Sequence, residues 1–336
     1  MRIKALILTG GLGTRLRPLT LYTPKPLLPI ANLPFLSYLL GNLRNHGVKE
    51  VVLCTQDSLH PYKKLIKHEG VLGTTLLCSR ESKPLGTAGA LKNAQRHIDS
   101  SPTFIFNGDV LTNINLSEML KFHREKKSML TVALVPVQDP SFFGLIKTDS
   151  SGKIKQFIEK PSLPRSNHKK SYLINAGIYL FDDKIFNLIP RGKSYSAEKE
   201  LFPKCLESKL PLYGFESPRS SYWLDIGTPQ KYLKANRDVI LKRIRIPLNG
   251  IQKIGENNKI GRGALISKDV IIGESCTIGA RCELKNCVLL DRIVLEENVR
   301  IENCIIGNFV RIGRESSITQ SKIIGDDSII TPYSQL

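Results

Sequence analysis

The stretch KALILTGGLGTRLRPLT, residues 4–20, decides the fold of the N-terminal part of the chain. Its apolar run at residues 5–8 is typical of a short buried strand. Three glycines follow this run within four residues. Because glycine has no Cβ, backbone N–H groups in such a turn can approach a polyphosphate closely. The stretch therefore predicts a strand that leads into a phosphate-binding loop. Its glycines are Gly10, Gly11 and Gly13, and the basic side chains in it or just beyond it are Arg15, Arg17 and Lys25.

Spacing excludes two common phosphate-binding loops. A Walker A loop needs a Lys-Ser or Lys-Thr pair at a fixed offset from its glycines, and no glycine here meets that requirement. A dinucleotide-binding turn that begins at Gly11 needs Gly or Ala at position 16, where this chain has Leu16. The loop therefore fits neither class.

Short apolar runs alternate with helical patterns from residue 1 to about 245, which is typical of an α/β domain with a mostly parallel sheet. A helix is predicted over residues 35–46, because leucines recur at helical spacing and Gly47 can end the helix in a left-handed conformation. Another helix is predicted to begin at Asn115, with Glu118 three positions later. The predicted strands are 5–8, 50–54, 103–107, 130–135 and 174–180.

The pattern changes after about residue 250 to one aliphatic residue every six positions. A repeat of six predicts one short strand and one corner per repeat, with each aliphatic side chain facing the core of a coil. A helix would need a period of 3.6 and would not tolerate so much glycine and β-branching. The spacing resembles that of hexapeptide-repeat proteins, which implies a left-handed parallel β-helix of about four or five turns. The repeat positions are 254, 260, 266, 272, 278, 284 and 290, then, after a change of phase, 306, 312, 318, 324 and 330.

Length and composition indicate the broad class. The 336 residues exceed one usual hydrophobic core, and the change of period predicts two domains, at residues 1–245 and 246–336. The seven cysteines show no CxxC spacing, so a cytoplasmic, reducing compartment is expected. No run approaches the ~18 apolar residues of a membrane span, so no transmembrane segment is predicted. The net charge of +19 favours anionic partners, but no motif supports nucleic acid among them.

The glycine loop and the following PKPLLP, residues 24–29, resemble the signature of the sugar-nucleotide pyrophosphorylases over its whole length. The resemblance implies transfer of a nucleoside monophosphate from an NTP to a sugar 1-phosphate, with release of pyrophosphate. It also implies a Rossmann-like nucleotidyltransferase domain before the β-helix. In that family the arginine that matches Arg15 stabilises charge on the α- and β-phosphates, and the lysine that matches Lys25 contacts phosphate. The implied nucleotide-binding residues of the loop are Gly10, Gly11, Gly13, Thr14, Arg15 and Lys25.

Further segments resemble the same family in the same order. PLGTAGA, residues 84–90, is similar to its nucleoside-contacting turn and adds Gly86 and Thr87 to the nucleotide-binding set. FNGDV, residues 106–110, places Asp109 after a strand, where open α/β sheets bind ligands. WLDIGTP, residues 223–229, carries the second acid, Asp225, before a helix that Thr228 can cap. The segments that resemble sugar-phosphate contacts contribute Gly144, Glu159, Lys160 and Asn175.

The implied reaction joins two polyanions, and the attacking phosphate is already ionised near neutral pH. Positioning and charge neutralisation therefore matter more than a general base. Asp109 and Asp225 are predicted to hold Mg²⁺ through hard oxygen ligands, converging on one triphosphate. The predicted catalytic residues are Arg15, Lys25, Asp109 and Lys160.

Other functions are weighed against this one. Some pyrophosphorylases carry an acetyltransferase on the β-helix, but that chemistry usually uses a histidine base, and all six histidines precede residue 170. A non-catalytic regulatory subunit is a second alternative, although such relatives tend to lose the basic and acidic residues that are present here. The exposed end coils and flat faces of a β-helix also predict a homo-oligomer.

The choice of base and sugar depends on finer features. The loop, the EKP segment at 159–161, residues 196–200 and the appended coil look most like mannose-1-phosphate guanylyltransferases, which implies GTP, mannose 1-phosphate and GDP-mannose. Thymidylyl-, uridylyl- and heptose-phosphate guanylyltransferases use similar loops and stay as alternatives. Glu81 can accept hydrogen bonds from guanine, but a surface carboxylate is the preferred interpretation of that residue.

Overall fold

The computed structural model describes residues 3–56, 60–98, 102–161 and 171–336. The chain forms two compact units. The first comprises Met1–Gly11 and Leu39–Trp223, and the second comprises Leu12–Tyr38 and Leu224–Leu336. The glycine turn is therefore divided between them, since Gly11 ends one segment of the first unit and Gly13 belongs to the second.

The α-helices are α1 (Phe35–Asn45), α2 (Lys63–Val71), α3 (Gly86–Ala94), α4 (Leu116–Glu125), α5 (Phe202–Glu207) and α6 (Pro229–Ile240). Short 3₁₀ helices occupy Thr14–Leu16, Leu19–Leu21, Lys25–Leu27, His60–Tyr62, Gln95–His97 and Asp183–Leu188, and a π-helical turn occupies Ala197–Leu201. In the ranges that the structure describes, no helix has the length and apolarity that crossing a membrane requires.

The strands before the coil are β1 (Lys4–Leu8), β2 (Pro29–Ile30), β3 (Leu33–Pro34), β4 (Glu50–Thr55), β5 (Thr75–Arg80), β6 (Thr103–Asn107), β7 (Val110–Thr112), β8 (Leu130–Val137), β9 (Gly144–Thr148), β10 (Ile154–Glu159), β11 (Tyr172–Phe181), β12 (Leu212–Glu216) and β13 (Trp223–Asp225). Those of the coil are β14 (Lys259–Ile260), β15 (Leu265–Ile266), β16 (Ile271–Ile272), β17 (Thr277–Ile278), β18 (Glu283–Lys285), β19 (Val288–Leu289), β20 (Val294–Leu295), β21 (Arg300–Glu302), β22 (Ile305–Ile306), β23 (Arg311–Ile312), β24 (Ser317–Ile318), β25 (Ile323–Ile324) and β26 (Ile329–Ile330).

A nine-stranded sheet forms the centre of the first unit, in the order β10-β9-β11-β6-β1-β4-β5, with β8 joined to β11 and β12 to β8. The strands β6, β1, β4 and β5 are parallel to one another, whereas β11 is antiparallel to β6. In β4, whose sequence is EVVLCT, five of the six residues are buried, as is usual for a parallel strand covered on both faces. The predicted α/β fold with a mostly parallel sheet is confirmed.

The predicted elements of this part of the chain are present, and their ends differ from the prediction by no more than two residues. Gly47 has the expected left-handed conformation, with φ of 79°. Asn115 caps α4, because its side-chain oxygen accepts a hydrogen bond of 3.1 Å from the Glu118 N–H. These features were predictable because each depends on a short local pattern.

The coil of the second unit consists of three stacked parallel sheets, with the orders β14-β17-β20-β23-β26, β15-β18-β21-β24 and β16-β19-β22-β25. Paired positions in neighbouring turns lie 17 or 18 residues apart, as in Ile272, Leu289, Ile306 and Ile324. Residues with positive φ recur at the corners at the same interval. This stacking is consistent with the predicted left-handed β-helix.

One detail of the predicted repeat is wrong. The position in register with Ile272 is Leu289, not Leu290, because one side of that turn has five residues instead of six. Ile254 and Ile260 are in register with the buried Ile272 and Ile278, as the repeat predicts, but they are 38% and 47% exposed. They belong to the first turn of the coil, which has a neighbouring turn on one side only.

All seven cysteines are free thiols. Cys276, Cys282, Cys287 and Cys304 are fully buried in the apolar core of the coil. Burial raises the pKa of the Cys282 thiol, so this side chain stays protonated and acts as a small apolar residue.

Candidate active site

Gly10 and Gly11 follow β1 at the carboxyl edge of the parallel sheet. A Cβ added to Gly10 would lie 3.4 Å from Glu81 Oε1, which is an ordinary contact. A Cβ added to Gly11 would have none of the described atoms within 4 Å. Packing within the protein therefore does not require glycine at position 11. Close approach of a ligand to the backbone stays the predicted reason for a glycine at this position.

Asp109 lies at the same edge of the sheet, after the neighbouring strand. Strand β6 pairs with β1, and Asn107 stands opposite Leu8. The Gly108 N–H donates a hydrogen bond of 2.9 Å to Leu8 O, and a Cβ on Gly108 would lie only 2.4 Å from that oxygen. Only glycine fits this close approach. The half-buried Asp109 is thereby fixed close to the start of the glycine turn.

Glu81 contradicts the preferred interpretation as a surface carboxylate, because it is only 6% exposed. Its Oε2 accepts a hydrogen bond of 3.1 Å from the Leu85 N–H, and its Oε1 faces Gly10. Burial raises the pKa of the carboxyl, and the bond from Leu85 opposes that shift. The turn between β5 and α3 folds this side chain inward, which residue type alone did not indicate.

The predicted nucleoside turn at the start of α3 binds a second segment of the chain. Gly86 has φ of 69°, and a Cβ there would lie 2.8 Å from Tyr195 O. The Thr87 hydroxyl accepts a hydrogen bond of 2.7 Å from the Ala197 N–H and donates one of 2.9 Å to Glu198 Oε2. Gly86 therefore leaves room for Tyr195 O, and Thr87 holds residues 197–198 against α3. Their assignment as nucleotide contacts stays a prediction.

Three of the predicted sugar-phosphate residues line one depression in the first unit: Gly144, Glu159 and Asn175. A Cβ on Gly144 would lie 3.2 Å from Glu159 Oε2, so glycine keeps the depression open there. Glu198 also lines it, a residue to which the sequence assigned no role. Carboxylates and an amide are groups that can bind sugar hydroxyls.

Lys160, the fourth of this set, has a constrained backbone next to the depression. Its φ is 45°, a conformation that costs a lysine on the order of 1 kcal/mol and that is often found at functional sites. Its N–H donates a hydrogen bond of 3.2 Å to Phe143 O. The ring of Phe143 packs edge-on against Trp223, whose Nε1 donates a hydrogen bond of 2.8 Å to Ala176 O. Trp223 thus connects the segments that were predicted to contact the sugar.

Arg15 and Asp225 come together in the second unit, although they are far apart in sequence. Both lie against Gly227, which is buried. A Cβ on Gly227 would be 2.8 Å from Arg15 Nη2 and 3.0 Å from Asp225 Oδ1. The structure therefore places a predicted phosphate-binding arginine beside a predicted metal ligand. Glycine at position 227 makes this proximity possible.

Lys231 is a neighbour of this pair that sequence analysis missed. Its Nζ forms an ion pair with Asp225 Oδ2. Thr228 caps α6 as predicted, since its hydroxyl oxygen accepts a hydrogen bond of 3.3 Å from the Lys231 N–H. The cap was a usable signal, because a side chain three residues after an N-cap lies in the first helical turn.

Gly13 begins the 3₁₀ turn that carries Thr14 and Arg15. Its φ is 59°, and the Thr20 hydroxyl donates a hydrogen bond of 2.9 Å to its carbonyl oxygen. A Cβ on Gly13 would lie 3.0 Å from Thr20 Cγ2 and 3.3 Å from Lys25 Cβ. The packing therefore fixes the stem of Lys25 against the turn that carries Arg15.

A divalent metal ion would find few protein ligands. No group of three or more His, Cys, Asp or Glu side chains capable of holding a metal occurs among the residues that the structure describes. Mg²⁺ commonly binds one or two carboxylates and completes its coordination with water and substrate phosphates, so the hard oxygens of Asp109 and Asp225 suit it. Asp109 belongs to the first unit and Asp225 to the second, and their convergence on one ion stays a prediction.

Two family models match the chain. The model described as nucleotidyl transferase matches residues 4–241, and the model described as GMPPB C-terminal domain matches residues 248–334. Together they cover nearly the whole sequence.

Two relatives and one solved structure are also similar to the chain over most of its length. The mannose-1-phosphate guanylyltransferase of Mycobacterium tuberculosis is 37% identical over 71% of this chain and 65% of its own length, which is just under two thirds. A probable mannose-1-phosphate guanylyltransferase of rice, Oryza sativa subsp. japonica, is 36% identical over 97% of this chain and 91% of its own length. The crystal structure of HddC from Yersinia pseudotuberculosis is 28% identical, with a TM-score of 0.61 over 70% of this chain and 99% of that one. The chain therefore belongs to the nucleotidyl transferase family, whose members generally use a divalent metal ion.

Proposed function

We propose that this protein transfers GMP from GTP to mannose 1-phosphate, which yields GDP-mannose and pyrophosphate. Support for the reaction class comes from the position of the Arg15 guanidinium against Gly227 and beside Asp225, at the turn that begins with Gly13. Support for the substrates comes from the relatives of Mycobacterium tuberculosis and rice, which are named as a mannose-1-phosphate guanylyltransferase and a probable one.

The chemistry follows from charge. An oxygen of the sugar phosphate attacks the α-phosphorus of GTP, a new P–O bond forms, and the bond to the β-phosphate breaks as pyrophosphate leaves. In this proposal Arg15 and Lys25 neutralise charge on the triphosphate and on the departing pyrophosphate. Mg²⁺, when it is bound by Asp109 and Asp225, would neutralise further phosphate charge. Lys160 binds the phosphate of the sugar, and Gly144, Glu159 and Asn175 bind the sugar.

Backbone N–H groups complete the nucleotide site in the same proposal. Gly10, Gly11, Gly13 and Thr14 present their N–H groups to the phosphates. Gly86 and Thr87 shape the nucleoside end, where Glu81 receives the base.

The catalytic part is assigned to residues 1–245 and the β-helix to residues 246–336. We also propose a cytoplasmic compartment, given the seven free thiols, and a homo-oligomer, given exposed coil side chains such as Leu265 and Ile329.

Glu81 supports guanine over the other bases. Guanine presents two adjacent donors, N1–H and the N2 amino group, and a carboxylate can accept from both. Oε1 of Glu81 faces Gly10, at the start of the phosphate loop. Adenine, uracil and thymine lack this pair of donors, so a buried carboxylate would stay partly unsatisfied with them.

One experiment tests the reaction and its specificity together. ATP, GTP, CTP, UTP and dTTP are each combined with the 1-phosphates of mannose, glucose, N-acetylglucosamine and heptose, and pyrophosphate release is measured. We expect GTP with mannose 1-phosphate to give the highest kcat/KM. Release with no pair would refute the enzymatic proposal, and preference for heptose 1-phosphate or for dTTP would replace the proposed substrates.

The Glu81→Gln variant tests the assignment of the base. Replacing one carboxylate oxygen with an amide group leaves one guanine donor facing another donor. We expect kcat/KM for GTP to fall at least ten-fold, which is about 1.4 kcal/mol. The ratio of kcat/KM for ATP to kcat/KM for GTP should rise. Glu125→Gln is the matched control, because Glu125 is an exposed helix residue 61% accessible to solvent. Equal behaviour of the two variants would remove Glu81 from base recognition.

A further inference from the structure

The segment that carries most of the glycine loop packs with the C-terminal coil. Residues 12–38 form one compact unit with α6 and the β-helix, although some 200 residues separate them along the chain. The predicted phosphate-binding residues Gly13, Thr14, Arg15 and Lys25 all lie in this segment. Its contacts with the coil therefore bear on the geometry of the loop.

The first contact is made by the hairpin of β2 and β3. Ala31 and Asn32 form its turn, with φ of 47° and 64°. Asn32 Nδ2 donates hydrogen bonds of 2.8 Å to Ile272 O and 3.2 Å to Gln252 O, both in the C-terminal segment. The Gln252 N–H donates a hydrogen bond of 3.1 Å to Ala31 O. Three hydrogen bonds thus join this turn to the coil and the chain leading into it.

Helix α6 holds the same turn from another direction. The fully buried Asn236 accepts a hydrogen bond of 2.9 Å from the Ala31 N–H on its Oδ1. The Tyr232 hydroxyl donates a hydrogen bond to Pro29 O. Because Asp225 and Gly227 immediately precede α6, the hairpin, the helix and the coil form a connected support for the residues around Arg15.

The second contact is made by Pro18, three residues after Arg15. A Cβ on Gly325 would lie 2.9 Å from Pro18 Cγ and 3.1 Å from Pro18 Cβ. Another glycine of the repeat, Gly261, differs in this respect. A Cβ there would meet the backbone of the next turn, at 2.5 Å from Ala280 N. Glycine at position 325 makes room for the loop, whereas glycine at position 261 makes room for the coil itself.

We propose that the β-helix positions the phosphate loop for catalysis, with Asn32 and Gly325 as positioning residues. The two contacts flank Lys25 in sequence, and Arg15 stands just before the contact that Pro18 makes. Movement of either contact would shift these charges relative to the triphosphate, where a 1 Å misplacement can cost about 100-fold in rate. The proposal rests on the nucleotidyl transfer proposed above and gives the coil a function beyond that of a stable appendage.

The Asn32→Gly variant tests the first contact. Glycine keeps the left-handed backbone of position 32 without strain and removes both side-chain hydrogen bonds. Asn298→Gly is the matched control: Asn298 lies on the coil with φ of 57° and makes two side-chain hydrogen bonds, with Arg281 Nε at 2.7 Å and Glu315 Oε1 at 2.6 Å. We expect kcat to fall about ten-fold in Asn32→Gly and to stay within two-fold in Asn298→Gly.

The Gly325→Ala variant tests the second contact, with Gly261→Ala as its control. The added methyl group at position 325 presses on the Pro18 ring rather than on the coil, so we expect a lower kcat and a thermal midpoint closer to wild type than that of Gly261→Ala. The methyl group at position 261 strains the coil, so we expect a lower thermal midpoint in Gly261→Ala. Its kcat at 25 °C should stay at the wild-type value. In Asn32→Gly and Gly325→Ala the KM for mannose 1-phosphate should stay within two-fold of wild type, because the interaction that is lost acts only in the transition state.

Hydrogen exchange provides a readout that does not depend on turnover. In the protein without substrates, we expect amides of residues 13–34 to exchange faster in Asn32→Gly and Gly325→Ala than in wild type, and at the wild-type rate in Asn298→Gly. A wild-type protein without any pyrophosphate release would refute the proposed function while this measurement still decides the anchoring. The positioning proposal would be overturned if Asn32→Gly and Gly325→Ala both kept the wild-type kcat and the wild-type exchange rates. It would also be overturned if the Asn298→Gly control lost as much kcat as Asn32→Gly.

Discussion

Replacing Gly227 with alanine changes the position of Arg15 without removing any charge. The new Cβ would stand 2.8 Å from Arg15 Nη2, and ordinary contact begins at 3.4 Å, so the guanidinium has to move by about 0.6 Å. This atom is the end of a long, exposed side chain, so the movement costs little folding energy. The variant should fold normally and keep a thermal midpoint within a few degrees of wild type.

The expected loss of rate follows from that displacement. If a misplacement of 1 Å costs about 100-fold, then about 0.6 Å costs roughly ten-fold in kcat, which corresponds to about 1.4 kcal/mol of activation free energy. Pyrophosphate release at saturating GTP and mannose 1-phosphate measures this loss. Gly70→Ala serves as the control, because a Cβ on Gly70 in α2 has no described atom within 4 Å.

A double-mutant cycle with Arg15→Ala shows whether the effect acts through the guanidinium. Once Arg15 has been truncated, the methyl group at position 227 has nothing to displace on that side. We expect the ten-fold effect to shrink to less than about three-fold, the remainder coming from Asp225, whose Oδ1 lies 3.0 Å from the same Cβ position. A full ten-fold effect in the Arg15→Ala background would refute the reasoning, as would wild-type kcat in the single variant.

Three further predictions follow from other features of the molecule. Asp109→Asn should abolish turnover and leave the circular dichroism spectrum and thermal midpoint unchanged; near-wild-type rates would remove Asp109 from the metal site. Gly11→Ala should leave stability unchanged and raise the KM for GTP at least ten-fold, because its Cβ occupies space next to the phosphates; an unaltered KM would mean that no phosphate approaches this backbone. Burial, and less strongly the Arg124 charge, lowers the pKa of His123 from 6.5 to about 4, so between these pH values the unfolded chain binds a proton that the folded chain does not. Stability should therefore be complete above pH 6.5 and fall by roughly 3 kcal/mol toward pH 4; urea unfolding at several pH values should show a flatter dependence in His123→Gln, and an unaltered slope would contradict the assignment.

The parts of the fold that were predictable from sequence depend on local patterns. The β1 strand, the helix α1 before Gly47 and the caps at Asn115 and Thr228 each follow from fewer than twenty residues, because propensity and capping act over one or two turns. The coil was predictable for a related reason, since its repeat imposes the same local geometry many times. The identity of the glycine loop also depends on a continuous motif.

Other features depend on contacts between distant segments, which no local pattern specifies. Glu81 is buried because the chain turns inward between β5 and α3, whereas residue type alone favoured a surface position. The ion pair of Lys231 with Asp225 requires the geometry of the first turn of α6. The change of repeat phase at Leu289 follows from one side of the coil having five residues, and the sequence placed this position one residue later.

The glycines of the motifs differ in the atoms that an added Cβ would meet. This difference separates substitutions that act on folding from substitutions that should act on substrate binding. At Gly108 and Gly86 a Cβ would lie 2.4 Å and 2.8 Å from a backbone carbonyl oxygen, so substitution there acts first on folding. At Gly11 the space is open, so substitution should act only when a ligand is present. Gly227 is intermediate, because the atoms beside it belong to the Arg15 and Asp225 side chains. Glycines that look alike in sequence therefore include positions that shape the protein and a position, Gly11, that we predict to leave room for the triphosphate. Thermal stability and KM, measured on the same alanine variants, should separate the two kinds.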